Sequence, residues 1–158
     1  MVESAYTMTR RSFVGLVAAI GLIATAIADE PTAAVMHKDP NCGCCTGWVR
    51  HMRDAGFAVR VEETSDLKAV RARFAIPESL AACHTAEVAG YLVEGHVLAA
   101  AVRRLLAERP NARGLAVPGM PAGSPGMEGG APKPYAVILF GPKGSQPFMR
   151  FIGKQAVG

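Results

Sequence analysis

Three of the four cysteines fall within four residues, Cys42-Gly43-Cys44-Cys45, and the fourth, Cys83, stands alone. That spacing restricts what the chain can build. A disulfide needs Cα atoms about 4.4–6.8 Å apart and a defined dihedral angle, so the neighbours Cys44 and Cys45 can pair only with strain. Cys42 with Cys45, or one of the trio with Cys83, can bridge without it. Two bridges that use every thiol would need one pair to Cys83 and a second within the trio.

The compartment decides how such thiols are read. Arg10-Arg11-Ser12-Phe13 opens an apolar, uncharged run to Ile27, and Ala26-Ile27-Ala28 places small residues at −3 and −1 of a cleavage point before Asp29. A basic start, a short apolar run and an A-x-A site make an export signal over residues 1–28, and the paired arginines resemble a twin-arginine signal. The run is about 15 residues, short of the roughly 20 a helix needs to span a bilayer. The expected product is residues 29–158, a single domain in the periplasm. The whole chain carries +4, and losing Arg10, Arg11 and Glu3 leaves +3. This excess is small and its Lys and Arg are scattered, without the basic stripe that binds nucleic acid. No second apolar stretch is long enough to span a membrane, so the mature chain is expected to be soluble.

Along the mature chain, strand and helix patterns alternate. Ala33–His37 reads as a strand, and Asp39-Pro40-Asn41 as a turn and helix start. Trp48, Val49, Met52 and Ala55 recur on one face of a helix over about 46–55, with Gly56 as its stop. Residues 57–62 alternate as a half-buried strand. Ser65 caps a second helix with Leu67, Val70 and Phe74 inward, ended by Pro77. Tyr91–His96 reads as a strand, Leu98–Leu106 as an amphipathic helix stopped by Pro110, and 114–134 as a Gly/Pro-rich segment. Tyr135–Phe140 and Phe148–Ile152 flank Gly141-Pro142-Lys143-Gly144, a hairpin signal. The order predicts an α/β, thioredoxin-like single domain with a C-terminal β-hairpin.

Three chemistries suit the cysteines. Structural bridging is the first. The second is dithiol redox work by Cys42 and Cys45, a C-x-x-C at a helix mouth where the backbone favours thiolate. The third is a soft metal. Thiolates prefer Cu(I), and bridging sulfur lets a few of them hold several ions. A mononuclear zinc site competes within this class, but adjacent Cys44 and Cys45 fit one tetrahedron poorly. Met120 and Met127 sit in the Gly/Pro-rich segment rather than on an apolar helix face, so their thioethers are candidate extra ligands, weighed against packing as loop anchors. His84, next to Cys83, is a candidate ligand or outer hydrogen-bond partner. His96 is a weaker one, set against a capping or core role. His37 lies near the cluster only in sequence, and His51 reads as surface or packing. Trp48 is most simply core.

Cys42-Gly-Cys-Cys-Thr-Gly-Trp48, Cys83-His-Thr-Ala86, Gly90-Tyr-Leu-Val-Glu-Gly-His-Val97 and the string from Gly114 to Glu128 together resemble the CopG-type family. That family is a domain long catalogued as of unknown function and found with bacterial copper-resistance systems. The resemblance runs from about Ala33 to Ile152. It implies a periplasmic protein of thioredoxin-like fold with a cysteine-bridged multinuclear copper cluster, whose ligands fall on Cys42, Cys44, Cys45 and Cys83. The implied role is copper resistance, with Cu(I)/Cu(II) interconversion as a proposed activity and other periplasmic copper-resistance proteins as partners. Leu98 departs from the proline expected after Gly95-His96-Val97, which touches only a helix start. The alternative is a thioredoxin-like thiol-disulfide oxidoreductase using Cys42 and Cys45.

Overall fold

Strand β1 (Ala33–Lys38) is followed by a tight turn that delivers the chain into helix α1 (Gly43–Asp54). The computed structural model describes residues 30–158. The expected export signal over residues 1–28, with its arginine pair and the expected cleavage after Ala28, lies outside the described residues. Within the turn, Asp39 accepts from the backbone N–H of Asn41 through its carboxylate (2.8 Å) and from that of Cys42 through its carbonyl (3.0 Å). These bonds close the turn before Cys42, which is the N-cap in an extended conformation. The helix therefore begins at Gly43, about one turn before the Thr46 that hydrophobic spacing suggested, and Cys44 and Cys45 lie in its first turn. Cys45, Trp48, Val49 and Met52 form its buried face. Gly56, at φ +87°, turns the chain out of the helix.

The remaining order is β2 (Ala58–Glu63), α2 (Leu67–Arg73), a 3-10 turn (Glu78–Leu80), β3 (His84–Val88), β4 (Tyr91–Gly95), α3 (Ala99–Glu108), β5 (Gly114–Val117), β6 (Pro134–Gly141), β7 (Gly144–Ile152) and β8 (Gln155–Ala156). Among the described residues this makes a mixed α/β domain with three α-helices and an eight-stranded sheet in the order β2-β1-β3-β4-β5-β6-β7-β8. β1 runs parallel to β2 and β4 parallel to β5, and every other neighbour is antiparallel. The C-terminal hairpin is present as β6 and β7, paired from Pro134–Ile152 down to Gly141–Gly144.

Alternation along the strands feeds two apolar layers. Met36, Val88, Val93 and Leu115 meet Trp48 and Met52 of α1 and Val102 and Leu105 of α3 on one face. Leu92, Ala116 and Phe140 meet Ile76, Leu80 and the half-buried Phe74 on the other. Covering both faces is what allows β5 to be buried throughout.

Three further expectations are corrected. The cap of α2 is Asp66, whose carboxylate accepts from the N–H of Ala69 (2.9 Å), not Ser65. That helix ends at Arg73, before Pro77, because Ala75 takes a left-handed conformation (φ +49°), and none of its residues is fully buried. The segment 114–134 is not loop throughout, since its first four residues are β5.

Candidate metal centre

The end of β1 and the start of α1 put three thiol positions at one edge of the buried helix face. Cys42 and Cys45 are joined as a disulfide with Cα atoms 5.5 Å apart. Cys45 is fully buried, and Cys42 and Cys44 are half-buried. Cys44 Sγ lies 3.5 Å from Cys42 Sγ and 3.8 Å from Cys83 Sγ, and Cys45 Sγ lies 3.6 Å from the Cys83 carbonyl oxygen. The four sulfurs lie within 4.8 Å of one another. Sequence spacing alone gave no reason for Cys83 to meet the trio.

The meeting depends on how Cys83 is held. It precedes β3, which pairs antiparallel with β1, so its residue stands beside the chain that enters α1. A buried carboxylate clamps the preceding peptide. Glu94 of β4 accepts from the Ala82 N–H (2.7 Å) and from the Thr85 hydroxyl (2.5 Å). Arg71 of α2 donates to the Ala82 carbonyl (3.0 Å) and lies 3.5 Å from Glu94. Burial raises the Glu94 pKa, opposed by the bonds from Thr85, Ala82 and Arg71. Neither Glu94 nor Arg71 carried a signal in the sequence beyond alternation.

Two imidazoles complete the surroundings. His96 is fully buried, with Nδ1 2.7 Å from the Pro125 carbonyl and Nε2 2.9 Å from Cys83 Sγ. A carbonyl can only accept, so the proton is on Nδ1 and the Nε2 lone pair faces the thiol. Burial lowers the His96 pKa. Burial, reinforced by Cys44, pushes the Cys83 thiol up to about 12. Both shifts favour the neutral forms, and the geometry suits the Cys83 S–H donating to Nε2. His84 is also fully buried and held well below its ordinary pKa by burial, then by His96. Its Nδ1 lies 3.6 Å from Cys83 Sγ, and its ring is tilted against Trp48 and edge-on to His96. Its Nε2 is buried without a hydrogen-bond partner among the described residues.

The Gly/Pro-rich segment lies over this corner. Pro125 orients His96, and Gly126 (φ +89°) rests on the first turn of α1, where a Cβ would stand 2.2 Å from the Cys44 carbonyl oxygen. Met120 is 55% exposed, in a surface groove with Val117, Pro121 and Tyr135. Met127 is half-buried beside Gly126. The geometry assigns neither thioether to the sulfurs. His37 lies between the carboxylates of Glu62 (3.2 Å) and Glu87 (3.6 Å) on the neighbouring strands. His51 accepts from the Ala99 N–H (3.0 Å) at the start of α3. Trp48 is core, its indole N–H donating to the Val97 carbonyl (2.8 Å).

Two solved structures, copper resistance protein CopG form 2 and form 1, are similar to this chain. Each shares 42% sequence identity at a TM-score of 0.73, and the matches cover 77% and 78% of this chain and 99% and 100% of theirs. A family model described as a protein of unknown function, DUF411, matches residues 80–127, the span that holds Cys83, both buried imidazoles and the Gly/Pro-rich segment. No curated protein matches.

Proposed function

The chain belongs to the CopG family of copper resistance proteins, and on that premise we propose that its reduced cysteine cluster carries Cu(I) in copper resistance outside the cytoplasm. The observation that carries this reading is the convergence of four sulfurs from positions 42, 44, 45 and 83. The donor set fits the cargo. Sulfur is the soft ligand that Cu(I) selects, and crowded thiolates can share ions by bridging, which favours a multinuclear site over a mononuclear one. Four ligands require the Cys42–Cys45 disulfide to take up two electrons and two protons. Binding then displaces the thiol protons, including that of Cys83.

Periplasmic placement is supported by the signal-like residues 1–28, which divide the chain from a domain over 29–158. Among the described residues no helix is long and apolar enough to cross a membrane. A thioredoxin-like reading of the first half is supported by the order β2-β1-β3-β4, by the antiparallel setting of β3, and by helices after β1, β2 and β4.

The test is anaerobic Cu(I) titration of the fully reduced protein, read by elemental analysis. More than one copper per chain is expected, with uptake falling when the Cys42–Cys45 disulfide is re-formed. Uptake of one ion or none would remove the multinuclear reading. A second reading, thiol-disulfide oxidoreductase, is favoured by the disulfide that spans Cys42 and Cys45 at the mouth of α1. It predicts turnover of disulfide substrates without copper.

A further inference from the structure

The sheet face turned away from α1 carries an imidazole that the sulfur cluster does not use. Met36 packs with the α1 residues, so alternation along β1 turns its neighbour His37 to the other face, against Phe74 (ring centroids 6.0 Å apart). We propose that His37 Nε2 and the Glu87 carboxylate form a peripheral site for a divalent ion of borderline hardness, Zn(II) or Cu(II), with Glu62 holding the ring from behind. None of the cysteines, His84 or His96 takes part, and the proposal does not depend on the copper reading above.

The first argument is an orphaned nitrogen. His37 is 6% exposed, and its Nε2 is buried without a hydrogen-bond partner among the described residues. Buried polar atoms normally have one. The group that Nε2 faces is the Glu87 carboxylate, at 3.6 Å. That gap is too wide for a hydrogen bond. It is close to the span of two ligands on one ion: bonds of about 2.0–2.1 Å to nitrogen and about 2.0–2.2 Å to oxygen at a tetrahedral angle set about 3.4 Å.

The second argument is the other ring nitrogen. Nδ1 lies 3.2 Å from Glu62 Oε2. A neutral ring that donates there presents the Nε2 lone pair to Glu87. A carboxylate behind a ligating imidazole fixes its tautomer and raises its basicity. Glu62 is itself steadied, because Arg60 binds its other oxygen. Glu87 is paired with no Lys or Arg among the described residues, so its charge is available to an ion.

The third argument is placement. His37 is in register with Glu62 of β2 and with Thr85 of β3, and Glu87 follows Thr85 by two residues on the same face. Paired strands hold donors more precisely than loops do. The two carboxylates are 40% and 46% exposed, so water reaches the ion and completes its coordination. One imidazole and one carboxylate suit divalent zinc or copper, whereas Cu(I) selects sulfur. Binding fills the Nε2 lone pair's position, and no electron moves.

The test is Zn(II) titration of the full chain carrying Cys44→Ser and Cys83→Ser, with the Cys42–Cys45 disulfide intact, so that no free thiol competes. Nitrogen NMR of the histidine rings reads the site directly. At neutral pH, Zn(II) should shift His37 Nε2 saturably while Nδ1 stays protonated. Glu87→Gln should weaken that binding by roughly tenfold or more, and Glu62→Gln by about tenfold. Glu87 is 46% exposed, so its substitution leaves the core intact, and a cooperative unfolding transition checks this. No Zn(II)-dependent change at the His37 ring overturns the proposal. So does a change that persists at equal affinity in Glu87→Gln, or one confined to the rings of His84 and His96.

Discussion

Gly47 and Gly126 meet backbone to backbone: a Cβ built on Gly47 would stand 2.6 Å from the Gly126 Cα. This contact seats the Gly/Pro-rich segment on the first turn of α1 and brings the Pro125 carbonyl to His96. Gly126 is constrained twice, because its φ of +89° is also costly for any side chain. We predict that Gly126→Ala costs roughly 1–3 kcal/mol through backbone strain and lifts the segment. Amide hydrogen exchange should then rise at residues 122–128 while α3 stays protected. Unchanged protection at 122–128 would show that the contact does not hold the segment down.

Glu94 governs Cys83 without touching it. In Glu94→Gln the amide oxygen can still accept from Ala82, but the NH2 group cannot accept from the Thr85 hydroxyl, and Arg71 loses its charge partner. A loss of about 1–3 kcal/mol is expected from unpaired buried polar groups. Cys83 should also react faster with a thiol-alkylating reagent, measured in a Cys44→Ser background. Faster alkylation at unchanged melting temperature would still support a positioning role. The opposite pattern, lower stability with unchanged alkylation, would make Glu94 merely structural.

The sequence made helix α1, the α3 face and the C-terminal hairpin readable because each carries a long period or a turn with its own chemistry. What it hid has two causes, burial on both faces of the sheet and contacts between segments far apart in the chain. Gly114–Val117 is buried at every position, so it shows no alternation and merged with the glycines and prolines that follow. Glu94 alternates as an outward residue should, yet α2 covers that face and brings Arg71 to it. The cysteine trio was plain in the sequence, whereas the approach of Cys83 depends on β3 pairing antiparallel with β1. The strand β3 itself was missed. By local pattern His96 reads mainly as a cap or core residue, whereas its aim at Cys83 is set by a carbonyl 29 residues away.

His51 gives a pH dependence with a definite sign. Its Nε2 must be unprotonated to accept from the Ala99 N–H that opens α3. Burial first, then the Lys154 charge, lowers its pKa from the ordinary 6.5, against smaller opposing effects of Glu128 and Asp54. The unfolded chain therefore takes up the proton first. The contribution is complete above pH 6.5 and is lost as pH falls below it toward the folded value. His84 and His96 are lowered in the same sense, so His51→Gln, which keeps a neutral acceptor, should flatten the acid limb only partly. Urea denaturation from pH 7.5 to 5 checks this, and an unaltered slope would remove His51 from the account.

Cys44 separates the two functional readings most cleanly. In the copper reading Cys44 stands between Cys42 and Cys83, at 3.5 and 3.8 Å, and links the trio to the fourth sulfur. Cys44→Ser should then reduce Cu(I) per chain as severely as Cys42→Ser does. In the oxidoreductase reading Cys44 is a bystander. Its serine variant would keep the Cys42–Cys45 disulfide and its turnover of a small disulfide substrate, while Cys42→Ser would abolish it. Cys45 is a poor choice for serine because it is fully buried, and an unpaired hydroxyl there costs about 1–3 kcal/mol. Cys45→Ala removes the sulfur without adding that polar group. The measurement is copper content and disulfide turnover on the same three variants, each checked for a cooperative unfolding transition. Full copper loading in Cys44→Ser would sink the sulfur-cluster reading, since that reading makes Cys44 the sulfur next to both Cys42 and Cys83.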